Sequence, residues 1–194
     1  MKKNDVISVI VKSITNQVVV EDSEKVVPVG RGYLHQALDD SFLKHKVGDS
    51  YKIELGINEA FGSRNRELIK MVPSRYFKQN NVKPVNGLVV NIDGLMGRVI
   101  SASPGRVMVD FNHPLSGKNV TYEVKINKLV TDKVVKAREV LKAFLGQELS
   151  VKGQGESIVI NDTVGLPKSI KERIERELID VLGGTGTKIE FKKG

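Results

Sequence analysis

The side chains with the widest chemical range in this chain are three histidines, His35, His45 and His113. They lie far apart in sequence and form no metal-ligand pattern among themselves, so no metal is expected. The chain has no cysteine, which excludes a thiol nucleophile, a disulfide framework and any thiolate metal site. Gly30-Arg31-Gly32 imitates a dinucleotide loop, but position 35 is His and no βαβ pattern surrounds it. Gly183-Gly184-Thr185-Gly186-Thr187-Lys188 has the flavour of a phosphate loop. It follows a helical pattern instead of opening one, and reads as a helix C-cap and turn. Asp39-Asp40 reads as part of a solvated helix face that needs no catalytic role. What remains is one unusual link, "DFNHPLSGKNVTYEV" from Asp110 to Val124, in which Asn112-His113-Pro114 and Ser116-Gly117-Lys118 join two strand-like runs.

The elements around that link have three textures. From Asp5 to Ile57 the signals are mostly β, in "VISVIVKSI", "QVVVED" and "SYKIEL", with one short helical stretch, "YLHQALDDSFLKH". Leu34, Ala37, Leu38, Phe42 and Leu43 of that stretch fall near one face. Between Glu67 and Asn112, short apolar runs are punctuated by Pro84, Asn86-Gly87, Asp93-Gly94 and Pro104-Gly105, the pattern of a small β module. "NVTYEVKINKLV" then resumes the first strand set, with Val120, Tyr122, Val124 and Ile126 on one face, so the module reads as an insertion into a host domain. After Val130, "DKVVKAREVLKAFLG" and "PKSIKERIERELIDVL" are amphipathic helices around "ELSVKG" and "ESIVIND", and "TKIEF" closes the chain as a strand.

Composition narrows the function classes. Of 194 residues 40% are hydrophobic, enough for packed cores, whereas aromatics are only 5% and Trp is absent. The net charge of +8 raises nucleic acid as a partner. The lysines are dispersed among 23 acidic residues with no basic arm, so no specific nucleic-acid site is expected. No apolar run approaches the roughly 20 residues of a membrane span, and the N-terminal "MKKNDVISVIVKSI" reads as a strand, not a signal peptide. No membrane partner and a cytoplasmic location are the expectation.

In this order the pieces resemble the FKBP family of peptidyl-prolyl cis-trans isomerases, in the SlyD-like branch whose flap carries an inserted chaperone domain. "VGRGYLHQALDDSFLKHKVGDSYKIEL" is similar to the family's glycine, central helix and Val-Gly-Asp/Glu turn. "NEAFG" is similar to the Ala-Tyr-Gly before the insertion, and "DFNHPLSGKNVTYEV" to the return from it. The resemblance covers roughly residues 5 to 130, and the remainder is similar to the extra domain of long archaeal members. It implies an α+β fold: an FKBP-like antiparallel β-sheet with one short helix (1–66 plus 113–130), an inserted small β, or insert-in-flap, chaperone domain (67–112), and a C-terminal α+β domain (131–194).

The resemblance also implies a site. Rotating an X–Pro bond crosses a barrier of roughly 20 kcal/mol set by amide resonance. No nucleophile and no cofactor are needed; a dry apolar pocket favours the twisted amide, which has lost part of its charge separation. Carried over by position, the pocket consists of Leu34, His35, Leu38, Phe61 and Tyr122, with Glu21 or its neighbour Asp22 at the rim. Phe61 takes the place of a tyrosine, and Ile10 or an adjacent valine falls where the first strand usually carries one. His35-Gln36 replaces Ile-Pro or Ile-Ser, and Val20 replaces a residue that is often aromatic. The expected activity is isomerisation with chaperone function on unfolded or proline-containing polypeptides; the alternative is a holdase chaperone with a vestigial pocket. Met71, Tyr76, Phe77, Leu95, Met96 and Met108 are the candidate chaperone surface, with Tyr76-Phe77 and Leu95-Met96 expected to be partly exposed. The C-terminal helices carry more apolar surface than three short strands can cover. That unit is expected to pack on the host domain or to form a homodimer, the latter favoured by the resemblance.

Overall fold

The computed structural model describes residues 1–184 and 186–193; Thr185, within the expected turn after the last helix, and Gly194 lie outside the described residues. In chain order the elements begin with strands β1 (Val6–Thr15) and β2 (Val18–Pro28), helix α1 (Gln36–Phe42) and strand β3 (Ser50–Leu55). A single 3₁₀ turn (Arg66–Leu68) leads to β4 (Ile69–Pro73), α2 (Ser74–Gln79), β5 (Val89–Ile92), β6 (Leu95–Ser103) and β7 (Arg106–Asp110). The chain continues with β8 (Val120–Leu129), α3 (Lys133–Leu145), β9 (Val151–Gln154), β10 (Ser157–Asp162), α4 (Lys168–Leu182) and β11 (Lys188–Lys193). The fold is α+β, and it divides into two compact units, 1–53 with 121–194, and 54–120.

The first unit is built on a sheet of strand order β2-β1-β8-β3. β1 and β2 form a hairpin closed by Asn16-Gln17 at φ 48° and 64°, a primed turn whose twist matches the strands it joins. The period of two in β1 turns Val9 and Val11 to an inner face, where they are 0% and 1% exposed. Tyr122, Val124 and Ile126 of β8 are buried with them. α1 lies on that face, held by a 2.8 Å hydrogen bond between the Ser41 and Tyr51 hydroxyls and by the approach of His35 to Tyr122. The helix is shorter than its apolar pattern predicts. It ends at Phe42, so Leu43 becomes the cap and is exposed instead of sharing the buried face of Leu38 and Phe42.

In the C-terminal part of this unit, β9 and β10 pair antiparallel, and α4 is the crossover that brings β11 parallel to β10. Asp132 caps α3 through Val135 N–H at 2.8 Å, and Gly146 ends the helix in the left-handed region. α3 and α4 share one core, in which Leu141, Ile160, Ile174 and Leu178 pack with Val6 and Val130, which meet at one end of the antiparallel β1–β8 pair. Of the two ways to cover these helices, the structure shows packing on the host strands.

The second unit carries a sheet of order β4-β7-β6-β5. Its core is Phe77, Val99, Val107 and Val109. Gly97 of β6 is required there: a Cβ at this position would stand 2.6 Å from Val109 Cγ1 and 2.8 Å from the Phe111 ring. Phe77 is 2% exposed, which corrects the expectation that it is part of an exposed surface. The module is short of aromatics, and Phe77 is taken into its core with Val99, Val107 and Val109, with Phe111 packed against them. Tyr76 is half-buried at its edge, with ring centroids 5.9 Å apart. Leu95 and Met96 are exposed as expected, as is Met71, and Met108 is half-buried.

Candidate functional site

Strand register assembles the centre of the site. Ser13 of β1 pairs with Glu21 of β2 on one side and with Tyr122 of β8 on the other. Directly paired residues share a face, so Glu21, Ser13 and Tyr122 form one row on the inner surface. Asp22 pairs instead with Lys12 and faces outward. Of the two expected rim residues, Glu21 is the one that shares the face of Tyr122. The same alternation puts Ile10 on the outer face and leaves Val9 and Val11 inside. Val20 is the extra residue where the β1–β2 register shifts, between the Ser13–Glu21 and Ile14–Val19 pairs. Such a bulge bends the edge strand beside the row.

α1 delivers His35 and Leu38 to this face. His35 is the N-cap residue; its Nδ1 accepts the N–H of Ala37 at 3.3 Å. The imidazole is 6.0 Å from the Tyr122 ring, tilted by 35°. Leu38 is buried and Leu34 half-buried. Tyr122 is 5% exposed; burial, and then the charge of Glu21, push its phenol up, so it stays a protonated donor. Glu21 is held from three sides, by Lys25 Nζ at 2.6 Å, Ser23 Oγ at 3.2 Å and Ser13 Oγ at 3.5 Å. The bond from Lys25 is the main reason its carboxyl lies below the usual range, against the opposing effect of partial burial.

Phe61 lies in the second unit, in the segment that leads into the inserted strands. Its ring stacks on His113 at 4.0 Å with the planes 6° apart. Around this stack the outgoing and returning chains are clasped. Ser116 Oγ donates to Phe61 O at 3.2 Å, and Gly117 N–H to Gly62 O at 2.8 Å. Asn112 accepts Asn65 N–H at 2.8 Å and donates to Asn65 O at 2.9 Å, so a side-chain amide imitates a neighbouring strand. Asp110 receives Asn112 and pairs with Arg64. Burial raises its pKa, but the bonds from Asn112 and then from Arg64 outweigh it and hold the carboxyl low. The link "NHPLSG" is thus a fastened hinge.

Several of these residues escaped sequence reasoning. Ser13 and Lys25 become visible only once the hairpin register is known. Asp39 was expected in solvent, yet it is 3% exposed. Its carboxylate turns back to accept the N–H of Gly30 at 2.6 Å and of Gly32 at 2.7 Å. Both glycines have positive φ, 74° and 73°, which is what lets two nearby amides point at one side chain. The outer sheet face carries an open groove of about 470 Å³ lined by Lys12, Asp22, Lys52, Glu123 and Lys125 among others. Lys12 and Lys52 both pair with Glu123, at 3.5 and 2.7 Å. Ile10, Tyr51 and Val124 also line it, and its charged side chains lie on the opposite face of the strands from the Glu21–Ser13–Tyr122 row. Among the described residues no group of histidines and carboxylates could hold a metal ion, and no helix is long and apolar enough to cross a membrane.

Residues 70–115 match the family model described as the FKBP26 IF domain. The chain is 26% identical over 98 residues to a short-type peptidyl-prolyl cis-trans isomerase of Methanocaldococcus jannaschii, covering 50% of this chain and 62% of that relative. It is 27% identical over 117 residues to the FKBP-type isomerase SlyD of Escherichia coli, covering 56% of this chain and 59% of SlyD. The chain therefore spans about three fifths of the length of these two relatives. A probable FKBP-type 16 kDa peptidyl-prolyl cis-trans isomerase of Pseudomonas fluorescens is 31% identical over 103 residues, 50% of this chain and 67% of that protein. With that identity over two thirds of a relative, and with the inserted module matched separately, the chain belongs to the FKBP-type peptidyl-prolyl cis-trans isomerase family.

Proposed function

We propose that this protein is a peptidyl-prolyl cis-trans isomerase with chaperone activity, acting on X–Pro bonds in unfolded chains. The observation that carries the reading is the Glu21–Ser13–Tyr122 row with His35 beside it, in a chain of this family. Leu34, Leu38 and the rings of His35 and Tyr122 provide a wall of low polarity. A prolyl ring against that wall leaves water, and the twisted amide, with less charge separation than the planar one, loses less on desolvation. The protonated Tyr122 hydroxyl is a donor for the substrate carbonyl as the amide twists. Glu21, fixed by Lys25, keeps a negative charge at the rim without entering the wall.

The test is a refolding reaction limited by a proline bond. The protein is expected to accelerate the slow phase in proportion to its concentration, and Tyr122→Ala to abolish most of the effect. If saturating protein leaves the slow phase unchanged, while Phe61→Tyr with Glu21→Asp restores acceleration, the pocket is vestigial.

A second reading, a holdase acting through the inserted module, is favoured by one observation. Met71 pairs with Met108, and Met96 lies on the same side of the sheet, opposite Val99, Val107 and Val109. These flexible side chains present an adaptable apolar surface to extended chains. Replacing Met71, Leu95 and Met96 together by serine is expected to remove suppression of aggregation while sparing isomerisation of a short peptide. An unchanged aggregation assay removes this role.

A further inference from the structure

We infer that Glu177 of α4 is a positioning residue for the isomerase pocket, acting through Arg31 and Tyr33 on the loop that carries Leu34 and His35. The inference rests on the isomerase reading above for the meaning of that pocket. It concerns a contact between segments 144 to 149 residues apart in sequence.

In the loop between Pro28 and Gln36 the main chain of Val29 is bonded to Asn4 and Asp5 at 2.9 and 2.8 Å, and the stretch beyond it contains two glycines at positive φ that other groups must hold in place. Two carboxylates hold it by alternate residues. The main-chain N–H groups of Gly30 and Gly32 bind Asp39, inside the same domain. The side chains of Arg31 and Tyr33 bind Glu177, on the C-terminal helix. Arg31 donates Nε–H to Glu177 Oε1 at 3.0 Å and Nη2–H to Oε2 at 2.7 Å, a two-point fork, and Nη2 also reaches Asp180 at 3.0 Å. The Tyr33 hydroxyl donates to Glu177 Oε1 at 3.1 Å. The next two residues are Leu34 and His35.

This contact differs from the surface ion pairs of the molecule. The Arg31 and Glu177 side chains are 15% and 22% exposed, so screening by water and salt is reduced, and the planar fork fixes direction as well as distance. Lys142–Glu148, at 52% and 66%, is a pair of the ordinary solvated kind. A latch that served stability alone would need no tyrosine converging on the same oxygen immediately before the pocket residues. Tyr33 ties the exit of the loop to α4, and the ring of His35 is two residues further on.

The experiment uses the full chain and an X–Pro peptide, with kcat and KM resolved, and ring resonances of His35 and Tyr122 followed by NMR. Glu177→Gln keeps the size of the side chain and removes its charge. It is expected to lower kcat/KM by roughly tenfold, the scale of a misplaced pocket wall, and to shift both ring resonances. Glu175→Gln, exposed on the same helix, is expected to change neither. Arg31→Gln added to Glu177→Gln is expected to cost little more, because both act through one contact. Tyr33→Phe, which removes one hydroxyl, is expected to move kcat/KM and the His35 resonance in the same direction by about threefold less than Glu177→Gln, and it stands as the test if Glu177→Gln does not fold. The inference is overturned if these variants keep wild-type kcat/KM and ring resonances, or lose activity only in proportion to their unfolded fraction. Should the wild type not isomerise the peptide, the isomerase reading falls. Glu177 is then judged on the resonances alone: shifted rings support positioning, unmoved rings overturn it.

Discussion

Asp39 is one atom group on which several others depend. It is nearly inaccessible, and its two oxygens each take a main-chain N–H from the loop before α1. Hydrogen bonds to a charged acceptor are worth about 1.5–3 kcal/mol. Asp39→Ala also leaves two N–H groups facing a cavity, so we expect a loss of roughly 3 kcal/mol, measured by denaturant unfolding. Asp39→Asn keeps one acceptor oxygen and is expected to lose about half as much. A second residue-scale prediction concerns Gly97. Alanine there is expected to destabilise the second unit by about 1–3 kcal/mol, because Val109 and the Phe111 ring must both move. Thermal unfolding of Gly97→Ala checks it, and an unchanged midpoint means that the sheet yields more easily than a packed core does.

At the scale of elements, the clasp between 61–66 and 110–117 sets how the inserted strands are tied. Two of its members titrate in the same sense. Burial depresses the pKa of His113, and Asp110 is held low by its hydrogen bonds and Arg64. A group whose folded pKa is depressed stabilises the fold above its unfolded value and loses that contribution as pH falls. His113 therefore favours the clasp above about pH 6.5 and opposes it below; Asp110 weakens it only below about pH 3.8. Limited proteolysis of these segments is expected to accelerate between pH 7 and pH 5. His113→Phe, which keeps the stack on Phe61, is expected to remove that step. Asn112→Ala, losing both contacts to Asn65, is expected to accelerate cleavage at every pH.

Elements of this kind were unequally legible in the sequence. The alternation in "NVTYEVKI" and the i, i+4 rows of α4 gave those elements directly, since burial on one face leaves a periodic trace. Gly146 suited the C-terminal cap of α3, where the structure has it in the left-handed region, whereas the cap at Asp132 emerged only from the structure. The fate of Phe77 was not legible, because two adjacent aromatics in a six-residue helix look alike until a sheet covers one of them. The Glu21–Ser13–Tyr122 row required pairings across more than a hundred residues. Asp39 and Glu177 read as ordinary helix-surface carboxylates, and only the return of a distant loop makes them otherwise.

For the whole molecule, the shared core of α3, α4, Val6 and Val130 couples the chain's first strand to its last helix. Leu178→Ala is expected to cost about 2–5 kcal/mol. The loss should also appear as reduced hydrogen-exchange protection in β1, not in the C-terminal elements alone. Protection of β1 that stays at the wild-type level would show that the two parts unfold separately. Light scattering of the full chain decides whether a second copy joins a helix pair whose apolar faces are already covered within one chain.

That shared core also has a consequence for synthesis. Residues 54–120 are contiguous, so every partner within that unit is present once residue 120 has emerged, whereas the other unit waits for both of its stretches. β1 finds its partner β8 only after residue 129, and Val6 gains its full cover only when α4, ending at Leu182, has been made. At about 5–20 residues per second, roughly ten to thirty seconds pass between the appearance of β1 and the closing of that core. During this interval "VISVIV" is an apolar strand in need of shelter, and it lies upstream of an inserted module that is complete before its host. A newborn copy of this protein is, for that time, the kind of client its inserted module is proposed to hold.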